Sequence, residues 1–260
     1  MNTENDKSKA EELKQLKKDA EEGNVEAQYR LGLKYYNADG VPLDHIEVFK
    51  WFKKAAEQGH ADAQYRLGML HYIDRAPSLE EHEDIKWFKK AAEQGHTEAQ
   101  VQLGLTYTSD NRVPQDLMEA LKWFTRAAEQ DDAFAQYNLW KMYCKGWGVP
   151  PDHQEALKWL KKSADQGCEF AQFELGKMYF SGTDVNQDYQ EALKWFTKAA
   201  EQDDVDAQLK LARMYYSGTG VAQDLFEALK WYTKAAEEEH EEAQEMIKYI
   251  QFNLKSVKDR

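Results

Sequence analysis

Three kinds of residue in this chain could do chemistry: histidines, cysteines, and carboxylates paired at a constant spacing. The histidines are His45, His60, His71, His82, His96, His153 and His240. No two stand four residues apart, and neither Cys-x-x-Cys nor His-Glu-x-x-His accompanies them, so the spacings that hold zinc are missing. His60, His96 and His240 share one repeat position, which repeat ancestry explains. The cysteines, Cys144 and Cys168, lie in neighbouring repeats, whereas a disulfide scaffold would place an even set in register with the period. Two free thiols are expected, with one adventitious bridge as the alternative. The carboxylates recur as Asp-x-x-Glu from Asp44, Asp116, Asp152, Asp188 and Asp224, with Glu80 in place of Asp once. The second member is Glu47, Glu83, Glu119, Glu155, Glu191 or Glu227. This is the capping box, in which the Asp caps a new helix and the Glu reaches back to it, at the dipole end that favours negative charge. Such regularity argues against acid–base catalysis. With no Walker loop and no nucleophile elbow either, the chain offers no catalytic residue, metal site or cofactor site, and no enzyme is expected.

What positions these residues is a period. Trp51, Trp87, Trp123, Trp159, Trp195 and Trp231 stand 36 residues apart, and an Ala-Gln pair keeps the same beat from Ala27-Gln28 to Ala243-Gln244. Such self-similarity marks a stacked-repeat protein, quasi-one-dimensional and offering extended surfaces rather than one deep pocket. One continuous array is therefore expected, not two domains.

Within residues 168–203, Ala171, Leu175 and Tyr179 form one helical stripe, helix A. Beside it lies Gly176, which recurs as Gly32, Gly68 and Gly104, with Ala212 keeping the position small. Glycine costs about 1 kcal/mol inside a helix, so its recurrence implies a closely approaching partner helix. Ser181-Gly182-Thr183-Asp184, Lys145-Gly146-Trp147-Gly148 and Ser217-Gly218-Thr219-Gly220 are turns where glycine closes helix A. Helix B follows, with Ala192, Trp195 or Phe196, and Ala199 at helical spacing. Six identical tryptophans in six differently placed repeats read as core packing between repeats, not as a ligand-stacking ladder. The pattern is all-α.

The charge of −13 makes nucleic acid an unexpected partner, since binding it needs a clustered basic surface. It favours basic partners and solubility alike. No apolar run approaches the roughly 18–20 residues of a membrane span, and residues 1–30 lack a signal-peptide core. A cytoplasmic location is expected, unless a leader has been removed.

The run from Lys53 to Gly68 (KKAAEQGHADAQYRLG), with A-Q-x-x-L-G, G-V-x-x-D and A-L-K-W-F over residues 24–250, resembles the Sel-1-like repeat, a relative of the tetratricopeptide repeat. The resemblance implies an α/α right-handed superhelical solenoid of 36-residue helix-turn-helix repeats, with A helices lining the concave face. Six repeats would occupy 24–59, 60–95, 96–131, 132–167, 168–203 and 204–239, between an N-terminal capping helix (1–23) and a C-terminal one (240–260). It implies a non-enzymatic scaffold or adaptor that binds a protein or peptide, and a monomer is expected in isolation. Two alternatives also come from the family: a cytoplasmic immunity protein that neutralises a toxin, which the acidic charge would suit if the toxin were basic, and a β-lactamase or penicillin-binding relative. The latter branch carries cysteine pairs seven residues apart, where this chain has Ala56 and Ala63, Ala92 and Ala99, and Ala128 and Ala135. A structural module of an envelope complex is a further alternative, which the missing leader argues against.

If tetratricopeptide geometry carries over, residues two, six and nine positions after the Ala of Ala-Gln face the groove. The first set is Tyr29, Tyr65, Val101, Tyr137, Phe173 and Leu209; the second is Leu33, Met69, Leu105, Lys141, Lys177 and Arg213; the third is Tyr36, Tyr72, Thr108, Cys144, Phe180 and Tyr216. The expected binding site is the groove of repeats four to six: Lys141, Lys177 and Arg213, with Tyr137, Phe173, Cys144, Phe180 and Tyr216. Solvated lysines on a polar face are the alternative. Three departures stand out. Ile73 to Leu79 replaces the glycine turn. Trp140 fills the small-residue position, so either the packing shifts to absorb it or the ring projects outward. Trp147, in a glycine-flanked turn, is a candidate exposed anchor.

Overall fold

The computed structural model describes residues 3–74, 83–109, 113–237 and 240–258. The turn from Arg75 to Leu79, Glu80 and His82 lie outside them. Among the described residues there are fourteen helices and no strand. The chain divides into two compact units, Met1–Ala127 and Ala128–Arg260. The first holds α1 (Thr3–Glu21), then three antiparallel pairs: α2 (Val25–Tyr36) with α3 (His45–Glu57), α4 (Ala61–Asp74) with α5 (Glu83–Glu93), and α6 (Thr97–Ser109) with α7 (Leu117–Glu129), the last ending just past the division. The second pairs α8 (Ala133–Lys145) with α9 (His153–Asp165), α10 (Glu169–Ser181) with α11 (Tyr189–Ala200), and α12 (Val205–Ser217) with α13 (Leu225–Glu237), then ends in α14 (Glu241–Lys258).

Local chemistry sets the helix ends. Asp44, Asp116, Asp152, Asp188 and Asp224 each accept two backbone N–H bonds through Oδ1 and so start the B helices. The other half of the capping box is corrected. Glu47, Glu119, Glu155, Glu191 and Glu227 do not reach back; each accepts from the lysine three residues on. The cap's own N–H is already spent on the preceding helix A, as Asp116 donates to the Tyr107 carbonyl, Asp152 to Tyr143, Asp188 to Tyr179 and Asp224 to Tyr215. With that donor taken, the glutamate turns to the nearest cation. Gly146, Gly182 and Gly218 close α8, α10 and α12 in the left-handed conformation, φ 69°, 74° and 72°. His60 and His96 sit at the start of α4 and α6, where Nδ1 accepts from the N–H of Ala63 and Ala99. Their shared position is a cap.

Adjacent repeats interlock through buried residues. Trp51 packs with Leu31 of its own helix A and Ala20 of the preceding helix. Trp195 does the same with Leu175 and Ala164, and Trp231 joins a cluster with Leu211 and Ala200. Trp159 alone of the six is half-buried. The recurring glycines make room for a ring on the paired helix B. A Cβ at Gly32 would lie 2.6 Å from Phe52, one at Gly104 2.6 Å from Phe124, and one at Gly68 or Gly176 2.7 Å from Phe88 or Phe196. Repeat four reverses the exchange: Trp140 fills the glycine position and Leu160 stands where the others carry a ring. The indole packs, half-buried, against the cluster of Leu160, Ala164, Ala171 and Leu175. The smaller partner thus absorbs it, though its buried Nε1 has no acceptor among the described residues. Both thiols are free.

Two stability tests follow from this packing. Trp123, 2% exposed, should cost about 3–5 kcal/mol on change to Ala, and half-buried Trp159 less; equal shifts in denaturation midpoint would contradict the packing. Gly104→Trp should destabilise by overpacking against Phe124, and adding Phe124→Leu should recover at least half the loss. A double variant no better than the single would show that the Trp140–Leu160 exchange is not compensatory.

Candidate functional site

The expected groove residues of repeats four to six all lie in the second unit, on α8, α10 and α12 or in the turn after α8. Lys141 and Tyr137 stand one turn apart on α8, with Nζ 5.6 Å from the ring centre. Lys177 and Phe173 repeat this on α10 at 5.3 Å. On α12 the row continues as Arg213, but its guanidinium is bound bidentately to Glu242 of α14, with bonds of 2.5 and 2.9 Å. The three cations therefore differ. Arg213 is held by the C-terminal helix, and the hydrogen bond from Arg213 draws the Glu242 carboxyl below its usual range. Lys177 contacts Glu174 on its own helix at 2.8 Å. Lys141 has no carboxylate partner among the described residues, and burial, aided by Lys145, pulls its pKa down.

The remaining expected residues scatter more than the row suggested. Phe180 turns toward its own helix B, 5.2 Å from Tyr189 and 6.4 Å from Phe196, and Phe173 also leans on Phe196 at 5.7 Å. Tyr216 meets Tyr249 of α14 at 6.5 Å. Cys144 is half-buried, and burial raises its pKa, so the thiol is protonated at neutral pH. Trp147 is half-buried in the turn after α8, with Lys145 Nζ over its ring at 4.4 Å. Among the described residues, no cluster of three or more His, Cys, Asp or Glu could hold a metal ion, and no helix is long and apolar enough to cross a membrane.

The structure adds residues that the sequence reading passed over. Phe170 of α10, 43% exposed, lies 5.8 Å from Tyr137 and 6.3 Å from Phe134, both on α8. Trp140 joins them, 5.3 Å from Tyr137. The signal was in the column just before Ala-Gln, which reads Glu26, Asp62, Glu98, Phe134, Phe170, Asp206, Glu242. Two aromatic residues interrupt five acids.

Burial among these rings pushes the Tyr137 hydroxyl up to about 12 from the ordinary 10.0. A raised folded pKa gives stability that is complete below pH 10 and is lost as pH rises toward 12. Urea midpoints should therefore fall less for Tyr137→Phe than for the unaltered chain across that window. Equal falls would show that the hydroxyl is solvated.

A chain built this way has known relatives. The Sel1 repeat model matches residues 25–60, 61–75, 85–96, 97–132, 133–168, 170–204 and 205–240. Among solved structures, a Sel1 repeat protein from Oxalobacter formigenes is 35% identical, with a TM-score of 0.85, covering 93% of this chain and 70% of that one. A protective antigen present in uropathogenic Escherichia coli strains, displaying an SLR fold, is also 35% identical, with a TM-score of 0.81, covering 90% of this chain. This chain spans 50% of that antigen's length. An immunity protein from Pseudomonas aeruginosa is more distant, at 19% identity and a TM-score of 0.49 over 82% of this chain and 81% of that one, and carries no argument about role. No curated protein matches. On the family match and the first two structures, the chain belongs to the Sel1 repeat family, whose members are generally non-enzymatic protein-interaction scaffolds.

Proposed function

We propose that this protein is an adaptor that grips a polypeptide along the A helices of repeats four to six, α8, α10 and α12. The observation that carries this reading is one cation per helix, at the same position on three successive A helices. Lys141, Lys177 and Arg213 stand where repeats one to three hold Leu33, Met69 and Leu105. Aromatic side chains flank the first two, at 5.6 and 5.3 Å. Exposed ion pairs contribute only about 0.2–1 kcal/mol each, so rings supply most of the affinity and the cations set orientation and selectivity.

A narrower role, immunity against a basic toxin, draws support from the charge of −13. The cations on this face favour an acidic segment instead, so that role would need another surface. The cysteine pairs of the β-lactamase branch are absent, and nothing in the site supports enzymatic chemistry.

Arg213 already holds Glu242 of the terminal helix, so a glutamate there would place two carboxylates together and disturb the cap. The test is therefore Lys141→Glu and Lys177→Glu combined with Arg213→Gln. Affinity capture of the partner from native cells should be lost while the melting temperature stays nearly unchanged. Loss through these cations should mimic high salt. A folded triple variant that retains its partner at full affinity places the site elsewhere.

A further inference from the structure

We propose that α8 and α10 form a two-helix shelf for an acidic polypeptide segment with an aromatic or leucine anchor. The anchor would lie on Phe134, Tyr137 and Phe170, and a carboxylate on Lys141. This rests on the proposed adaptor role and names the chemistry of its partner.

The inference comes from a reversal of side-chain order along helix A. In repeats one and two the stripe at helical spacing reads acid, aromatic, apolar: Glu26-Tyr29-Leu33 and Asp62-Tyr65-Met69. Those acids have work within the fold, as Glu26 meets His60 at 3.2 Å and Asp62 meets His96 at 3.5 Å. In repeats four and five the stripe reads aromatic, aromatic, lysine: Phe134-Tyr137-Lys141 and Phe170-Phe173-Lys177. At the histidine position that follows stand Cys168 and Asp204, so an acid there would meet no histidine, and the column holds aromatic rings; repeat three keeps Glu98 although Asp132 follows. Repeat six returns to Asp206, and α14 to Glu242. Only α8 and α10 therefore lack a carboxylate at this position.

The two stripes touch. Phe170 bridges the helices to Tyr137 at 5.8 Å and to Phe134 at 6.3 Å, and it stays 43% exposed. A phenylalanine that joins a cluster across helices yet keeps nearly half its surface in water is not filling the core. A half-buried aromatic cluster with one exposed ring, beside charge, is the usual make-up of a binding anchor. Charge then selects the occupant. Lys141 borders the cluster without a carboxylate partner among the described residues, and the neighbouring Lys177 is matched only by Glu174 on its own turn. In a chain of charge −13, this is where an incoming carboxylate meets a cation that has no carboxylate partner among the described residues.

The test uses a random 12-residue peptide library displayed on phage and panned against the full chain. The leading sequence is then synthesised with a fluorophore and measured by anisotropy. Enriched peptides should carry Trp, Phe or Leu with Asp or Glu within one helical turn. The leading peptide should bind at least tenfold more weakly to Phe134→Ser/Phe170→Ser and to Lys141→Glu. Phe170→Asp installs the residue type that repeat six carries at this position, so it should keep the fold by circular dichroism and lose the peptide equally. Basic enriched peptides, no enrichment, or affinity within threefold for folded Phe170→Asp would each overturn the shelf. If Lys141→Glu/Lys177→Glu abolishes binding while the phenylalanine variants do not, the adaptor reading stands and the anchor falls. If neither set matters, both fall.

Discussion

The stack depends on one buried side chain per repeat, the glutamine of Ala-Gln. Gln28, Gln64, Gln100, Gln136, Gln172 and Gln208 are at most 4% exposed. Each donates Nε2 to the carbonyl of an alanine eight residues back, at the end of the preceding helix: Ala20, Ala56, Ala92, Ala128, Ala164 or Ala200. Those carbonyls lie at a helix C-terminus, where each also accepts the backbone N–H of the residue three on in the closing turn, so the glutamine takes the second lone pair. The amide oxygen then receives a bond from a second glutamine thirty residues on, at the end of the repeat's own helix B: Gln58 to Gln28, Gln94 to Gln64, Gln166 to Gln136, and Gln202 to Gln172. One amide therefore ties three helices. A hydrogen bond of this kind nets about 1 kcal/mol, but an orphaned buried amide costs about 1–3 kcal/mol, which fixes the register between neighbours.

With register set this way, the ring-to-glycine contact fixes how closely each pair approaches, and the two constraints together leave the exposed part of helix A free to vary. Its column before Ala-Gln can hold an acid that meets a histidine cap or an aromatic ring that meets rings of its own and the neighbouring A helix. The cation column can be Leu33 in one repeat and Lys141 in another. Repeat four carries the largest departures on both sides of that line. Trp140 and Leu160 exchange sizes within the pair, while Phe134 and Lys141 change the outward stripe.

The period, the helix pairing and the Asp caps were legible because each rests on local identities repeated at fixed spacing. The glutamine's role was not, since its partners lie eight residues back and thirty ahead and mean nothing until the helices stack. The capping-box glutamate was misread because the competing donor, a lysine three residues on, and the earlier commitment of the Asp N–H to a tyrosine carbonyl are both geometric facts. Trp140 could have been paired with Leu160 from sequence, since both depart from the repeat at positions that meet. The cation row was visible as a column, but Glu242's hold on Arg213 required α14 to lie beside α12. Phe134 and Phe170 were equally visible as a broken acid column; only the approach of Phe170 to Tyr137 turns two substitutions into one surface.

The proposed adaptor binds on the outward stripe of the A helices in the second unit, and not on the B helices that interlock through tryptophan. Hydrogen exchange of the full chain, alone and with its captured partner, tests this most directly. Slowed exchange at α8 and α10, weaker at α12 and absent from α2, α4 and α6, is the expected result. Protection centred on α2 and α4, or on α9, α11 and α13, would contradict it.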